Sequence, residues 1–358
     1  MEDDRGKNGT VSSFSISVTD EFEHMFSSFT MDVSAYGETY AEDHRNYSGI
    51  KEKPLFRLGE NTYLVLNWNF FYNKLYEGLL FDLYMHSTIA ATARFKTFPN
   101  FKQYVSEEVT ERFLFKKLLC AALHKKHSVL LFDEKLRQGF PDAYYRSGNN
   151  IILFEIKDAS FPVKAINTTS FQAIKDAIDA KYNQPNKGTG QLVSQLGQLL
   201  TRSFETTAGY KYARNLTIYP VMVYTDHFFS MPGINSYLQE AFDERVNDAK
   251  LKPNFKSIRP FVFIDIRFLI NHLDILRKNG TGLIDLFEGF YQEQVRAQKK
   301  IKRSNDLTLF FDCYQTFETA VRKKHEILMY RREGFVKTIV DTLELTKGLP
   351  PGDPNEAE

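Results

Sequence analysis

The sequence predicts an α/β protein, a mixed β-sheet core flanked by helices, with a hairpin-and-helix region before it and a helical region after it. Three observations carry this reading. Short apolar runs alternate with longer stretches of helical spacing. One run, Ile151–Ile156 (IILFEI), has apolar neighbours on both sides of its single acid, as a strand buried on both faces does. The order of elements from residue 103 is α-β-β-β-α-α-β, then an insertion, then β-α.

Taken in order, residues 1–50 are polar and rich in Ser, Thr and Asp, with Phe22, Met25, Phe26 and Phe29 forming one apolar helical face. The run KPLFRLGENTYLVLNW (53–68) reads as a β-hairpin around Gly59-Glu60-Asn61. Phe70, Phe71, Leu75, Leu79 and Leu83 follow at helical spacing, and residues 1–100 form an accessory region. A helix over about 103–126 is expected from Val105, Val109 and Phe113, then Leu114, Leu118 and Ala122. His127–Phe132 and Ala143–Arg146 are strands, Ser147–Asn150 is a turn, and Ile151–Ile156 is a buried strand. Helices over about 170–182 and 190–206 precede a strand at Leu216–Tyr224, where Pro220 predicts an edge position or a bulge. Phe261–Ile266 is one more strand. The core thus spans 101–280 with an insertion around 227–258, followed by a helical region at 281–349 and a disordered tail at 350–358.

The bulk numbers bound the class. Hydrophobic residues at 42% and charged residues at 25% fit a globular chain, and 32 Phe with 19 Tyr predict an aromatic core. No apolar run reaches membrane-spanning length, so no membrane partner is expected. The polar, acidic start MEDDRGKNGT does not read as a secretory signal. Two distant cysteines, Cys120 and Cys313, suit a reducing compartment and give neither a disulfide framework nor a thiolate metal site. The expected localisation is cytoplasmic. A net charge of +1 excludes nothing, since a nucleic-acid partner leaves its footprint locally. The basic run Arg296–Arg303 reads as a solvated helix face, and His124 and His127 as surface residues at a helix end. Gly188-Thr189-Gly190 could offer amides to a phosphate but lacks the Gly-Lys-Ser/Thr ending of a P-loop.

The segment GFPDAYYRSGNNIILFEIKDA (139–159) is the chemically informative one. Glu155 and Lys157 stand two apart on one strand and so share a face of the sheet. Asp142, at the start of the neighbouring strand, can reach the same side. Two carboxylates and an ammonium in an apolar sheet are costly to bury unless something compensates. Mg²⁺ (or Mn²⁺), held by one or two carboxylates with waters and phosphate oxygens, would compensate.

These residues resemble the signature of the PD-(D/E)xK phosphodiesterase superfamily, which includes restriction endonucleases, junction resolvases and RecB-type exonucleases. The family core is α-β-β-β-α-β, so the resemblance implies a restriction-endonuclease-like core over about 103–225, roughly a third of the chain. Family members often carry a Glu on the first core helix. Glu111, on the stripe continued by Leu114, Leu118 and Ala122, matches it, with Glu107 one turn earlier in reserve and Glu108 solvated beside Arg112. Gln191-Leu192-Val193-Ser194-Gln195 is similar to the Gln-x-x-x-Tyr element of RecB-like nucleases, with Gln195 where Tyr stands in the family. The resemblance implies metal ligation by Asp142, Glu155, Glu111 and the Ile156 carbonyl. It gives Lys157 the role of activating or orienting the nucleophile and Gln191 that of orienting substrate or water. The partner implied is nucleic acid, DNA favoured. The alternative is a catalytically inactive nuclease-fold protein acting as a nucleic-acid-binding or scaffold module.

Overall fold

A computed structural model of the chain describes residues 15–32, 34, 48–123, 127–132, 139–162, 165, 170–201, 209–278, 282–302, 307–324 and 332–344. The expected end of the first core helix at 124–126, the expected helical turns at 202–206 and the expected tail at 350–358 lie outside the described residues. The chain forms two compact units, one made of Met1–Tyr104 with Phe161–Lys175 and the other of Val105–Ser160 with Asp176–Glu358.

The first unit is built on the hairpin expected at 53–68. Strands β1 (Ser15–Ser17), β2 (Leu55–Gly59) and β3 (Thr62–Val65) form an antiparallel sheet in the order β1-β3-β2. Alternation along β3 turns Tyr63 and Val65 into a small core with Phe29, Leu55 and Phe71, against which Met25 and Phe26 pack. Phe22, expected on that apolar face, is 49% exposed in the first turn of its helix. Asn67 caps the next helix, its side-chain oxygen accepting from the backbone N–H groups of Asn69 and Phe70.

The second unit holds the larger sheet. β4 (Ser128–Phe132), β5 (Ala143–Ser147) and β6 (Asn150–Lys157) run as an antiparallel meander. Ser147 pairs with Asn150, so the turn is the two residues Gly148-Asn149, with Gly148 at φ +60° in the position where a type II′ hairpin turn places glycine. A two-stranded hairpin, β7 (Asn183–Gln184) and β8 (Lys187–Gly188), leads into the helix Thr189–Gln198. The chain then enters the sheet again as β9 (Thr217–Tyr224), parallel to β6, and β10 (Ser257–Ile258) and β11 (Val262–Asp265) pair parallel with the far side of β9. The α/β class and the mixed, helix-flanked sheet are therefore present.

β6 is buried from Ile151 to Ile156, and its two faces meet different layers. Ile152, Phe154 and Ile156 join Tyr219, Val221, Val223, Val262 and Ile264 in one core with residues of the helices Lys116–Leu123, Ile266–Asn271, Leu283–Ile301 and Phe317–Lys324. Phe115 meets Phe154 edge-on, with ring centroids 5.9 Å apart. Truncating a fully buried Phe of this kind costs about 3–5 kcal/mol. The opposite face carries Leu153 and Glu155.

Two expectations are corrected. Pro220 lies in a central strand: β9 is paired along its whole length with β6 and has β10 and β11 on its other side. The partner on that other side is broken, because β10 ends opposite Ile218 and β11 begins opposite Val221. The Ile218 carbonyl accepts from Arg259 on that side, and peptide groups two residues apart point the same way, so the missing N–H of Pro220 faces the break. The second correction concerns the first core helix, which is a π-helix over Val105–Phe115. Its buried positions, Val105, Thr110 and Phe115, are spaced more widely than the 3.6-residue turn of an α-helix, as the wider turn of a π-helix allows. Val109 and Phe113, expected inward from a 3.6-residue period, are 46% and 39% exposed.

Candidate active site

Strand alternation delivers Glu155 and Lys157 to one face, and the Lys157 Nζ lies 2.5 Å from Glu155 Oε1. Asp142, the residue before β5 begins, stands opposite the same stretch of β6, and its Oδ2 accepts from the Ile156 backbone N–H at 2.8 Å. The N–H and C=O of one residue in an extended strand point to the same edge, so the Ile156 carbonyl also faces the Asp142 side, beyond the start of β5. The three residues of the expected trio therefore come together at the end of β6.

The layer above that face is the helix Thr189–Gln198, and it contributes Gln195. This side chain is fully buried, and its Nε2 donates to Glu155 Oε2 at 2.5 Å and to the Phe140 carbonyl at 3.4 Å. Its own Oε1 is buried with no hydrogen-bond partner among the described residues. Gln191, the residue singled out from the sequence, lies one turn earlier, and no hydrogen bond among the described residues joins it to Asp142, Glu155 or Lys157. The amide of the site is Gln195, at the position where the resemblance led to Tyr.

Glu111 reaches the same neighbourhood from the π-helix, half-buried. Burial, then the Asp142 carboxylate, push its pKa from 4.5 to about 8, with Lys157 opposing. Glu155 is fully buried, and burial together with Asp142 holds its carboxyl well above the usual range despite Lys157 and Gln195. Burial alone would lower the Lys157 ammonium, but Glu155, Asp142 and Glu111 outweigh it and hold its pKa above the ordinary lysine value. Among the described residues, three carboxyl groups thus lie about the Lys157 ammonium. Glu108 instead pairs with Arg112 at 2.5 Å on the exposed side, as expected.

One residue of the site escaped sequence reasoning. Asp158, directly after Lys157, accepts from Ser106 Oγ at 3.0 Å, Thr110 Oγ1 at 2.9 Å and Thr225 Oγ1 at 2.6 Å. These three hydroxyls come from the π-helix and from the residue after β9, so Asp158 ties the carboxyl ends of the parallel strands β6 and β9 to the helix that carries Glu111. The residue pair Lys157-Asp158 faces the pair Thr110-Glu111 across this bond. The only local signal was a carboxylate adjoining the motif, and its partners lie 48 to 67 residues away.

The donor set, carboxylates and a backbone carbonyl, is that of a hard divalent cation. Two raised carboxyl groups and an orphaned buried amide oxygen mark a place where added positive charge would be welcome. Among the described residues, no three His, Cys, Asp or Glu side chains are gathered closely enough to hold a metal ion as they stand. No helix among them is long and apolar enough to cross a membrane. Comparisons with protein-family models, with curated proteins and with solved structures returned no match.

Proposed function

We propose that the second unit is a metal-dependent nuclease of the PD-(D/E)xK type, hydrolysing phosphodiester bonds of nucleic acid, with DNA the favoured substrate. The observation that carries this reading is the meeting of Asp142, Glu155, Lys157 and Glu111 at the end of one buried strand, with the Glu111 and Glu155 carboxyl groups held above their usual range. Drawn closer together than they stand, Asp142, Glu155 and Glu111, with the Ile156 carbonyl, would hold Mg²⁺ or Mn²⁺. Bound there, the ion would supply Lewis-acid polarisation of the scissile phosphate and acidify a water. Lys157 is the cation of the cluster among the described residues, and it would orient that water or meet the charge that develops on the phosphate oxygens. Gln195 fixes the Glu155 carboxylate from behind. Asp158 sets the distance between the strand end and the helix of Glu111.

A second reading has its own support. Both oxygens of Glu155 are already engaged, one by Lys157 and one by Gln195, which suits a nuclease-fold protein that binds nucleic acid or a partner without catalysis.

The test is cleavage of linear DNA, circular DNA and RNA with Mg²⁺, Mn²⁺ or EDTA by the wild type and by Asp142→Asn, Glu155→Gln and Lys157→Ala. The nuclease reading expects metal-dependent cutting that falls about 100-fold or more in each variant. Undiminished cutting by a folded Lys157→Ala protein would remove the mechanism, and nucleic-acid binding without any cutting would establish the second reading.

A further inference from the structure

On the outer side of the helix that carries Glu111, the sequence ERFLFKKLLC places Arg112, Lys116 and Lys117 on neighbouring turns. Together with Arg277 from the helix Leu273–Lys278, they line an open groove of about 820 Å³. Cys120 and Ala121 lie along it, and its remaining wall is Asp341, Thr342 and Glu344, at the end of the helix Arg332–Leu343. Four cations thus line the groove with two carboxylates, and one of the cations, Arg112, is already paired with Glu108. The ammonium groups of the two lysines lie near aromatic rings, Lys116 Nζ 5.4 Å from the centre of Phe132 and Lys117 Nζ 5.1 Å from the centre of Phe113. Phe113 itself is 39% exposed.

The oxygens already in the groove indicate what it accepts. Glu344 Oε2 lies 3.3 Å from Lys117 Nζ, and Thr342 Oγ1 accepts from Arg277 at 3.5 Å. Two of the four cations, Lys117 and Arg277, are thus met by an oxygen at the end of the last helix, where a phosphate oxygen would also fit. Both ion-pair partners are partly exposed, 28% for the Lys117 side chain and 45% for Glu344, so the contact is weak and exchangeable. An open, basic groove with exposed aromatic carbon on its rim matches a linear polyanion better than an enclosed small molecule.

We infer that this groove is a docking track for the phosphodiester backbone of a nucleic acid, partly covered by the carboxylates of the last helix. The groove and Glu111 are carried by different sides of the same helix. The inference rests on the nuclease reading only for the choice of nucleic acid as the polyanion.

It is tested by fluorescence anisotropy in EDTA, where no cleavage intervenes, with a labelled DNA duplex and an RNA duplex of the same sequence. The proteins are the full chain, Lys116→Glu/Arg277→Glu, the milder Lys116→Ala/Arg277→Ala, and Asp341→Asn/Glu344→Gln, each first shown folded by circular dichroism. Charge reversal is expected to weaken binding about 10-fold or more near 50 mM salt, and to reduce the slope of log K against log salt by about 2, one for each lost phosphate contact. Neutralising Asp341 and Glu344 is expected to tighten binding several-fold. The probe held more tightly identifies the source of the backbone. Wild-type affinity and slope in both charge variants overturn the groove while leaving the nuclease reading to its own cleavage test. Absence of binding by the wild type to either duplex overturns it too.

Discussion

Glu111 is the residue whose chemistry departs furthest from its surroundings in sequence. Its folded pKa of about 8 lies above its ordinary 4.5, so the protonated form is the one the fold prefers. The stability this gives is fully present below pH 4.5 and is lost as the pH rises through about 8. Glu111→Gln, which keeps the shape and cannot ionise, is expected to flatten that loss and to melt above the wild type at pH 8. Thermal melts from pH 5 to 9 measure it, and a parallel profile in the two proteins would contradict the assignment. At Gln195 the effect has the other sign. Gln195→Leu leaves a fully buried Glu155 oxygen without its donor and is expected to cost about 1–3 kcal/mol in denaturant unfolding. Asp142, Glu155 and Lys157 were legible in the sequence because strand alternation alone decides which side chains share a face. Gln195 over Gln191 was not, since both satisfy the helical spacing and only the seat of the helix on the sheet separates them.

At the scale of elements, the strands were legible and the pitch of the first core helix was not. Apolar runs with β-branched residues bounded by turn signals mark β4, β5, β6, β9 and β11 within a residue or two. Nothing in VSEEVTERFLF states that the backbone there closes i→i+5 bonds, and that is why Val109 and Phe113 were placed inward. Pro220 misled for a related reason, because the break in its partner strand is a property of residues 259–261 and not of β9. The helix Thr189–Gln198 offers a controlled test of local fit. A Cβ at Gly190 would lie 2.2 Å from the Pro185 carbonyl oxygen and 2.3 Å from that of Gln184, backbone atoms that cannot swing away. Gly197, on the same helix, has nothing within 4 Å. Gly190→Ala is expected to destabilise by about 1–3 kcal/mol. Gly197→Ala is expected to gain up to about 1 kcal/mol from helix propensity. Equal effects in urea titrations would mean that the close approach of the β7–β8 hairpin does not hold the helix start.

For the whole molecule, the buried titratable groups combine into one pH profile. Glu318, partly buried beside Asp265, is raised to about 7 by burial and then by that neighbour, and Glu111 to about 8. Both contribute stability that fades as the pH rises from 4.5 through those values. His227 is lowered from 6.5 to about 4 by burial and then by Arg267, so its contribution is present above 6.5 and lost as the pH falls through 4. The second unit is therefore expected to be most stable in mild acid, near about pH 5, and to lose stability toward pH 8. Calorimetry at pH 5.5 and pH 8 checks this, and a higher melting temperature at pH 8 would count against it. Mg²⁺ at pH 8 is expected to restore more stability than at pH 5.5, because the Glu111 carboxylate forms only toward the higher pH. The two-residue Gly148-Asn149 turn has a consequence at this scale as well. Surface turns usually tolerate changes of length, but this one sets which edge of β6 is in step with β5. One inserted residue that slipped β6 would carry Glu155 and Lys157 into the apolar layer around Phe115 and bring Ile156 under Gln195. The chemistry of the chain is thus guarded by the spacing of a turn that contains none of it, and length variation there is expected to be lethal to function where substitution is not.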